Sequence, residues 1–124
     1  MKNGEPKRDI TDRTFSFALR VVRLCQKLDE KPGTGRSLAK QLLRSGTSIG
    51  ANVEEAQAAQ SRADFVCKLS IALKETRETH YWLRLLTESE ILKRELLAPI
   101  TKESEELAKI LGAIVRSTRK ARSE

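Results

Sequence analysis

From Leu42 to Leu86 the chain is organised by helical periodicity, and one detail there constrains the fold more than any other. Ser45, Ser48, Asn52 and Glu55 form a polar stripe that borders the apolar line Leu38, Leu42, Ile49, Val53 and Ala56. A polar edge touching a core face costs free energy unless its groups are satisfied. The stripe therefore marks either a specific helix pairing or a binding site.

The rest of the chain supports a helical reading. At 124 residues it is one domain, able to bury about two thirds of its unfolded surface without disulfide or metal. Charged residues make up 33% and aromatics 4%, with six Gly and three Pro, a balance that sets strands aside. The first helix is expected over 10–31, opening near Asp9 or Thr11, after a polar arm at 1–8 that contains Gly4 and Pro6. Its expected core face is Phe15, Ala18, Leu19, Val22 and Cys25, widened by Val21 and Leu28. Opposite that face, Arg13, Arg20, Arg23, Lys27 and Lys31 fall within an arc of about 80°, a continuous basic stripe. Lys31-Pro32-Gly33-Thr34-Gly35 reads as a connector, since it lacks both the spacing of a phosphate-binding loop and a preceding strand.

The second helix is expected over 36–59, with Gly46 and Gly50 inside it. A helix-interior glycine costs up to about 1 kcal/mol relative to Ala, so close approach of a neighbouring helix is the natural reason for both. Ser61 and Asp64 make a capping-box-like start to a third helix over 62–88. That helix shows two apolar faces. One is Phe65, Leu69, Ala72, Leu73, Thr76 and Leu83; the other is Cys67, Ile71, Tyr81, Trp82 and Leu85. A single monomer core does not easily consume both, so Ile71, Tyr81, Trp82 and Leu85 are expected at an oligomer interface, where aromatic anchors are enriched. The fourth helix, 93–119, carries Leu96, Ile100, Leu107, Leu111 and Ile114, with Pro99 in its first two turns. Lys102/Glu106 and Glu105/Lys109 are expected as ion pairs on its exposed side. A basic tail follows at 120–124. The fold class is all-α, an antiparallel up-down-up-down four-helix bundle.

Lys and Arg number 24 against 17 Asp and Glu, for a net charge of +7 and a pI near 9.7. This favours association with polyanions, and Arg13, Arg20, Arg23, Lys27 and Lys31, with Arg116, Arg119 and Lys120, are the candidate contacts to RNA or DNA. Catalytic chemistry finds little to work with. The chain's only His is His80, and the residue three before it is Arg77, so no Glu-x-x-His pair is available for a carboxylate-bridged metal. Cys25 and Cys67 are isolated and read as small hydrophobes. Glu55 with His80 is the one enzymatic pairing worth testing, and ion pairing of Glu55, Glu75 and Glu78 with Arg44, Lys68, Lys74 or Arg77 is the competing use of those carboxylates. The expectation is a non-enzyme with no cofactor and no metal. The N-terminus lacks a signal-peptide apolar run and no stretch is long enough to span a bilayer, so the expected location is cytoplasmic, with no membrane partner.

The central stretch Leu42-Leu43-Arg44-Ser45-Gly46-Thr47-Ser48-Ile49-Gly50-Ala51-Asn52-Val53-Glu54-Glu55-Ala56 bears a resemblance, as do Ser61-Arg62-Ala63-Asp64-Phe65, Leu69 to Thr79, and Tyr81-Trp82-Leu83. Together they closely resemble the four helix bundle protein family, which includes proteins encoded by intervening sequences within bacterial 23S ribosomal RNA genes. The accessory variability proteins of diversity-generating retroelements are related to it. The resemblance runs from about Asp9 to Val115 and implies an up-down-up-down bundle assembled as a homopentameric ring. It also implies signature polar residues at Ser48, Asn52, Glu55 and Glu78, and a partner such as nucleic acid, a reverse transcriptase or a ribosomal component. The family commonly has Pro where Gly50 stands and a small residue, often Gly, where Ala56 stands. Two functions follow as expectations: nucleic-acid binding through the basic surface, or scaffolding of a protein partner on the ring. For the polar stripe the favoured role is a satisfied network fixing the second helix against the third or against a neighbouring subunit, with Glu78 or Arg77 as partner.

Overall fold

The computed structural model describes the backbone of residues 6–123 and the side chains of residues 10–121. Four helices follow one another: α1 (Pro6–Leu28), α2 (Thr34–Gln57), α3 (Arg62–Glu88) and α4 (Arg94–Ser123). Of the arm expected at 1–8, residues 1–5 lie outside the described residues and Pro6 already opens α1. Most of the expected tail at 120–124 is helix, since α4 continues through Ser123. Lys31 lies beyond the end of α1, in the connector.

Inward-facing residues alternate in steps of three and four along every helix, the spacing that lets helices lie side by side along one seam. In α1 they are Ile10, Thr14, Phe17, Val21 and Leu28, with Leu24 packed beside them; in α2, Leu42, Gly46, Ile49, Val53 and Ala56. In α3 they are Leu69, Ala72, Thr76, Thr79, Leu83 and Leu86, and in α4, Leu97, Ile100, Ser104, Leu107 and Leu111. Each of α1 and α3 packs on both α2 and α4, and the backbones of the diagonal pairs do not come close.

The direction of each neighbour follows from which residues meet. Cys25 reaches the Ala39 carbonyl while Thr14 faces Gly50, so α1 and α2 run in opposite directions. Arg44 meets Glu75 and Glu78 while Glu55 meets Lys68, so α2 and α3 do too. His80 meets Glu105 while Ser70 meets Arg119, which sets α3 against α4 in the same sense. The fold is the expected antiparallel bundle.

The α1 core face differs from the expected one. Phe15, Leu19 and Val22 are exposed, at 56%, 41% and 36%; Val21, Cys25 and Leu28 are buried as expected, and Ile10 and Phe17 complete the core instead of the exposed three. Two apolar stripes lie side by side on this helix, and hydropathy does not rank them. The longer run decides: Ile10, Thr14, Phe17, Val21, Leu24 and Leu28 keep the seam spacing over the whole helix, whereas Phe15, Leu19 and Val22 cover half of it. Leu96 is likewise exposed, at 48%, with Leu97 taking its place in the core.

The α2 glycines mark close approach, as expected. A Cβ on Gly46 would stand 2.8 Å from both Val21 methyl groups, and one on Gly50 would stand 3.2 Å from the Thr14 carbonyl oxygen. At Gly50 the two backbones themselves are in near contact. Ser61 caps α3 by accepting from the Asp64 N–H at 3.0 Å, and the Asp64 carboxylate reaches back to the Gln60 N–H at 3.3 Å. Pro99 sits near the start of α4 without interrupting it.

Candidate nucleic-acid interface

Outward of its core stripe and toward α4, α1 presents Arg20, Arg23 and Lys27. With Leu24 and the α4 residues Leu96 and Ile100, they line a shallow groove of about 260 Å³. The floor is apolar and the rim is cationic, with no acid among the lining residues. Elsewhere several cations are held by acids: Arg36 by Asp29, Arg44 by Glu75 and Glu78, Lys68 by Glu55, Arg94 by Glu88 and Lys109 by Glu106. Arg20, Arg23, Lys27 and Lys31 make no ion pair among the described residues.

Arg13 belongs to the same helix but has a different occupation. Its guanidinium forks onto Glu103, Nε to Oε2 at 3.1 Å and Nη2 to Oε1 at 2.8 Å, and ties α1 to α4. Arg116, Arg119 and Lys120 are exposed near the opposite end of α4 from Leu96 and Ile100. From Ile100 to Arg116 the helix rises about 24 Å, so the expected basic surface divides into two separated groups. Arg119 donates to the Ser70 hydroxyl at 3.3 Å. Lys31 joins Lys27 along a second groove at the α1–α2 connector, lined also by Glu30, Pro32, Gly33, Ile91 and Leu92.

The four signature residues do not form one network. Asn52 donates from Nδ2 to the Ser48 carbonyl at 2.9 Å and to the Ser48 hydroxyl at 3.2 Å, within α2. Glu55 pairs with Lys68 at 2.9 Å, and this hydrogen bond holds the lysine ammonium above its ordinary pKa. Glu78 accepts from the Arg44 guanidinium and from Trp82 Nε1, the latter at 3.0 Å. The hydrogen bond from Arg44, then that from Trp82, holds the Glu78 carboxyl below its ordinary range, and the same hydrogen bond raises Arg44. Arg77, the other expected partner, is exposed.

The buried link between α2 and α3 is instead Ser45 with Thr79, whose fully buried hydroxyls lie 2.9 Å apart. Thr79 is the partner that sequence reasoning missed. Its signal was its place in the Leu69-Ala72-Thr76-Thr79-Leu83 seam, where a hydroxyl needs a bonding partner from the facing helix or its own.

Among the interface candidates, Ile71, Tyr81 and Leu85 are exposed, while Trp82 is half-buried against the core with its ring edge-on to Tyr81 at 5.1 Å between centroids. Glu55 and His80 are not brought together. His80 Nε2 lies 3.2 Å from Glu105 on α4, whereas Glu55 is held by Lys68, a residue about 18 Å down α3. Glu105 is therefore spent on His80 rather than on Lys109, whose partner is Glu106 at 3.8 Å. Cys25 donates weakly to the Ala39 carbonyl at 3.4 Å, and burial, with the charge of Asp29, pushes its thiol up to about 11. Among the described residues no helix is long and apolar enough to cross a membrane.

Fold and surface together define a class: an antiparallel four-helix bundle with an uncompensated cationic row on its first helix. The chain belongs to the 23S rRNA-intervening sequence protein family, which it matches over residues 7–113. It is similar to the crystal structure of a protein with unknown function from the S23 ribosomal protein family of Bacteroides thetaiotaomicron VPI-5482. The two share 44% identity and a TM-score of 0.82, over 90% of this chain and 99% of that one. No curated protein matches the chain.

Proposed function

We propose that the protein is a non-enzymatic bundle that binds nucleic acid, RNA foremost, through Arg20, Arg23 and Lys27. The observation that carries this reading is that these three cations line one groove and none has an acidic partner among the described residues. Two exposed cations, Arg23 and Lys27, in a row with the half-buried Arg20 suit phosphates, and neutralising phosphates releases counterions. The family's tie to 23S rRNA genes points the same way.

A fluorescence-anisotropy titration with labelled RNA and DNA tests it. RNA is expected to bind at low salt with a log–log salt slope of about −2, three contacts on a single strand. The triple variant Arg20→Glu/Arg23→Glu/Lys27→Glu is expected to lose that binding. Absence of binding to either nucleic acid at low salt removes the reading.

A second reading, a scaffold for a protein partner on a homo-oligomeric ring, is favoured by the exposed apolar side chains. Phe15, Leu19 and Val22 lie in line on α1 beside Leu43 of α2, and Ile71, Tyr81 and Leu85 lie on α3. Two unlike patches on diagonal helices suit head-to-tail contacts, which close into rings rather than two-fold pairs. Family resemblance suggests five copies. Light scattering after size exclusion is the check: an oligomer mass for the native chain, and a monomer mass for Leu19→Asp and for Tyr81→Asp. A native monomer at micromolar concentration sinks this reading.

A further inference from the structure

Resting on the nucleic-acid reading, we propose that the α1–α4 groove receives an unpaired base, so that the ligand is single-stranded or bulged nucleic acid rather than regular duplex. The groove has two chemistries in one place. Its floor is Leu24, Leu96 and Ile100, and its rim is Arg20, Arg23 and Lys27. A ligand made only of anionic groups would engage the rim and leave the floor in water, where Leu96 is 48% exposed. A regular duplex is such a ligand here, because its bases are stacked inside and it presents phosphates to a convex helical surface.

An unpaired nucleotide carries both complementary parts. Its base is a flat body with two weakly polar faces, and its flanking phosphates are anionic. Seated on Leu96, with the buried Ile100 behind it, the base covers apolar surface that is otherwise solvated, and a guanidinium plane from Arg20 or Arg23 is the type of group on which bases stack. The volume of about 260 Å³ is enough to admit one base. α1 and α4 pack on one another more sparsely than any other neighbouring pair, and of the grooves beside α1 theirs is the one whose lining holds cations and no acid.

The experiment compares one labelled RNA strand free and annealed to its complement, titrated with the full chain at low salt, for the native protein and for Leu96→Gln. The single strand is expected to bind about tenfold more tightly than the duplex, and Leu96→Gln to erase most of that difference. Leu96 is outside the core, so the variant folds, which helical circular dichroism checks. Equal or tighter binding of duplex overturns the inference and leaves the nucleic-acid reading standing. A single-strand preference that survives Leu96→Gln also overturns it, since the base is then held elsewhere. Failure of both RNAs to bind overturns the inference, and failure of DNA as well removes the reading on which it rests.

Discussion

Along the α1–α2 seam a glycine lets backbone approach backbone, whereas along the α1–α4 seam the helices are joined by the Arg13–Glu103 fork and leave a groove beneath Leu96. At its glycines the first seam is closed: Gly46 faces Val21 and Gly50 faces Thr14, all four buried, and its own groove, of about 320 Å³, opens only further along, beside Cys25 and Ala39, where Asp29 joins Arg36 and Lys40 in the lining. The second groove is lined by cations with no acid among them. The difference teaches where a small bundle keeps stability and where it keeps a surface. α1, α2 and α3 lock through small residues and one buried hydroxyl pair, Ser45 with Thr79, α4 packs on α3 as closely as α1 does on α2, and the α1–α4 seam is the sparse one.

The largest expected effect breaks the tight side. Gly46→Leu must place a branched side chain where a single Cβ already meets Val21 methyls at 2.8 Å, and Val21 is stiff at χ1 and fully buried. Denaturant unfolding is expected to show a loss of about 3 kcal/mol or more, against a change within about 0.5 kcal/mol for Leu96→Gln on the loose side. Comparable losses for the two variants would erase the distinction between the seams.

Much of the tight side was legible in the sequence, because its devices are local and cost something when misplaced. Gly46 and Gly50 weaken their own helix unless a neighbour comes close, and Ser61 with Asp64 announces a helix start; both readings match the structure. The core face of α1 was not legible from apolarity, because Phe15-Leu19-Val22 and Phe17-Val21-Leu28 are equally apolar stripes of one helix. The interior Thr14 disguised the true one: its hydroxyl is satisfied by the Ile10 carbonyl at 2.9 Å, so a polar residue sits in the core at little cost. The groove was legible only in half. Its cations read directly from charge and spacing, but its floor joins Leu24 to Leu96 and Ile100, residues about seventy positions apart whose meeting depends on the register of α4. The signature polar residues show the same limit, since side chains that share a helix stripe have turned to separate partners.

The smallest expected effect sharpens the comparison on the outer edge of the α2–α3 seam. Glu78 is held below its ordinary carboxylate range by Arg44 and Trp82, so its folded-state pKa lies below its unfolded one. The unfolded chain therefore binds this proton first as pH falls, and the stability from the pair is complete above the unfolded value near 4.5 and is lost as pH drops through the folded value. Arg44 is about half exposed, which screens the pair and keeps its contribution small. In urea midpoints measured from pH 7 to pH 3, the native chain is expected to run parallel to Glu78→Gln above about pH 5 and to lose slightly more below it. Trp82 is the chain's only Trp, and its indole N–H donates to this carboxylate, so its emission is expected to shift over the same acid interval in the native chain and not in Glu78→Gln. Parallel profiles down to pH 3 would mean that the Glu78 carboxylate adds nothing to the seam, leaving Ser45 with Thr79, Glu55 with Lys68 and Arg44 with Glu75 as its polar contacts.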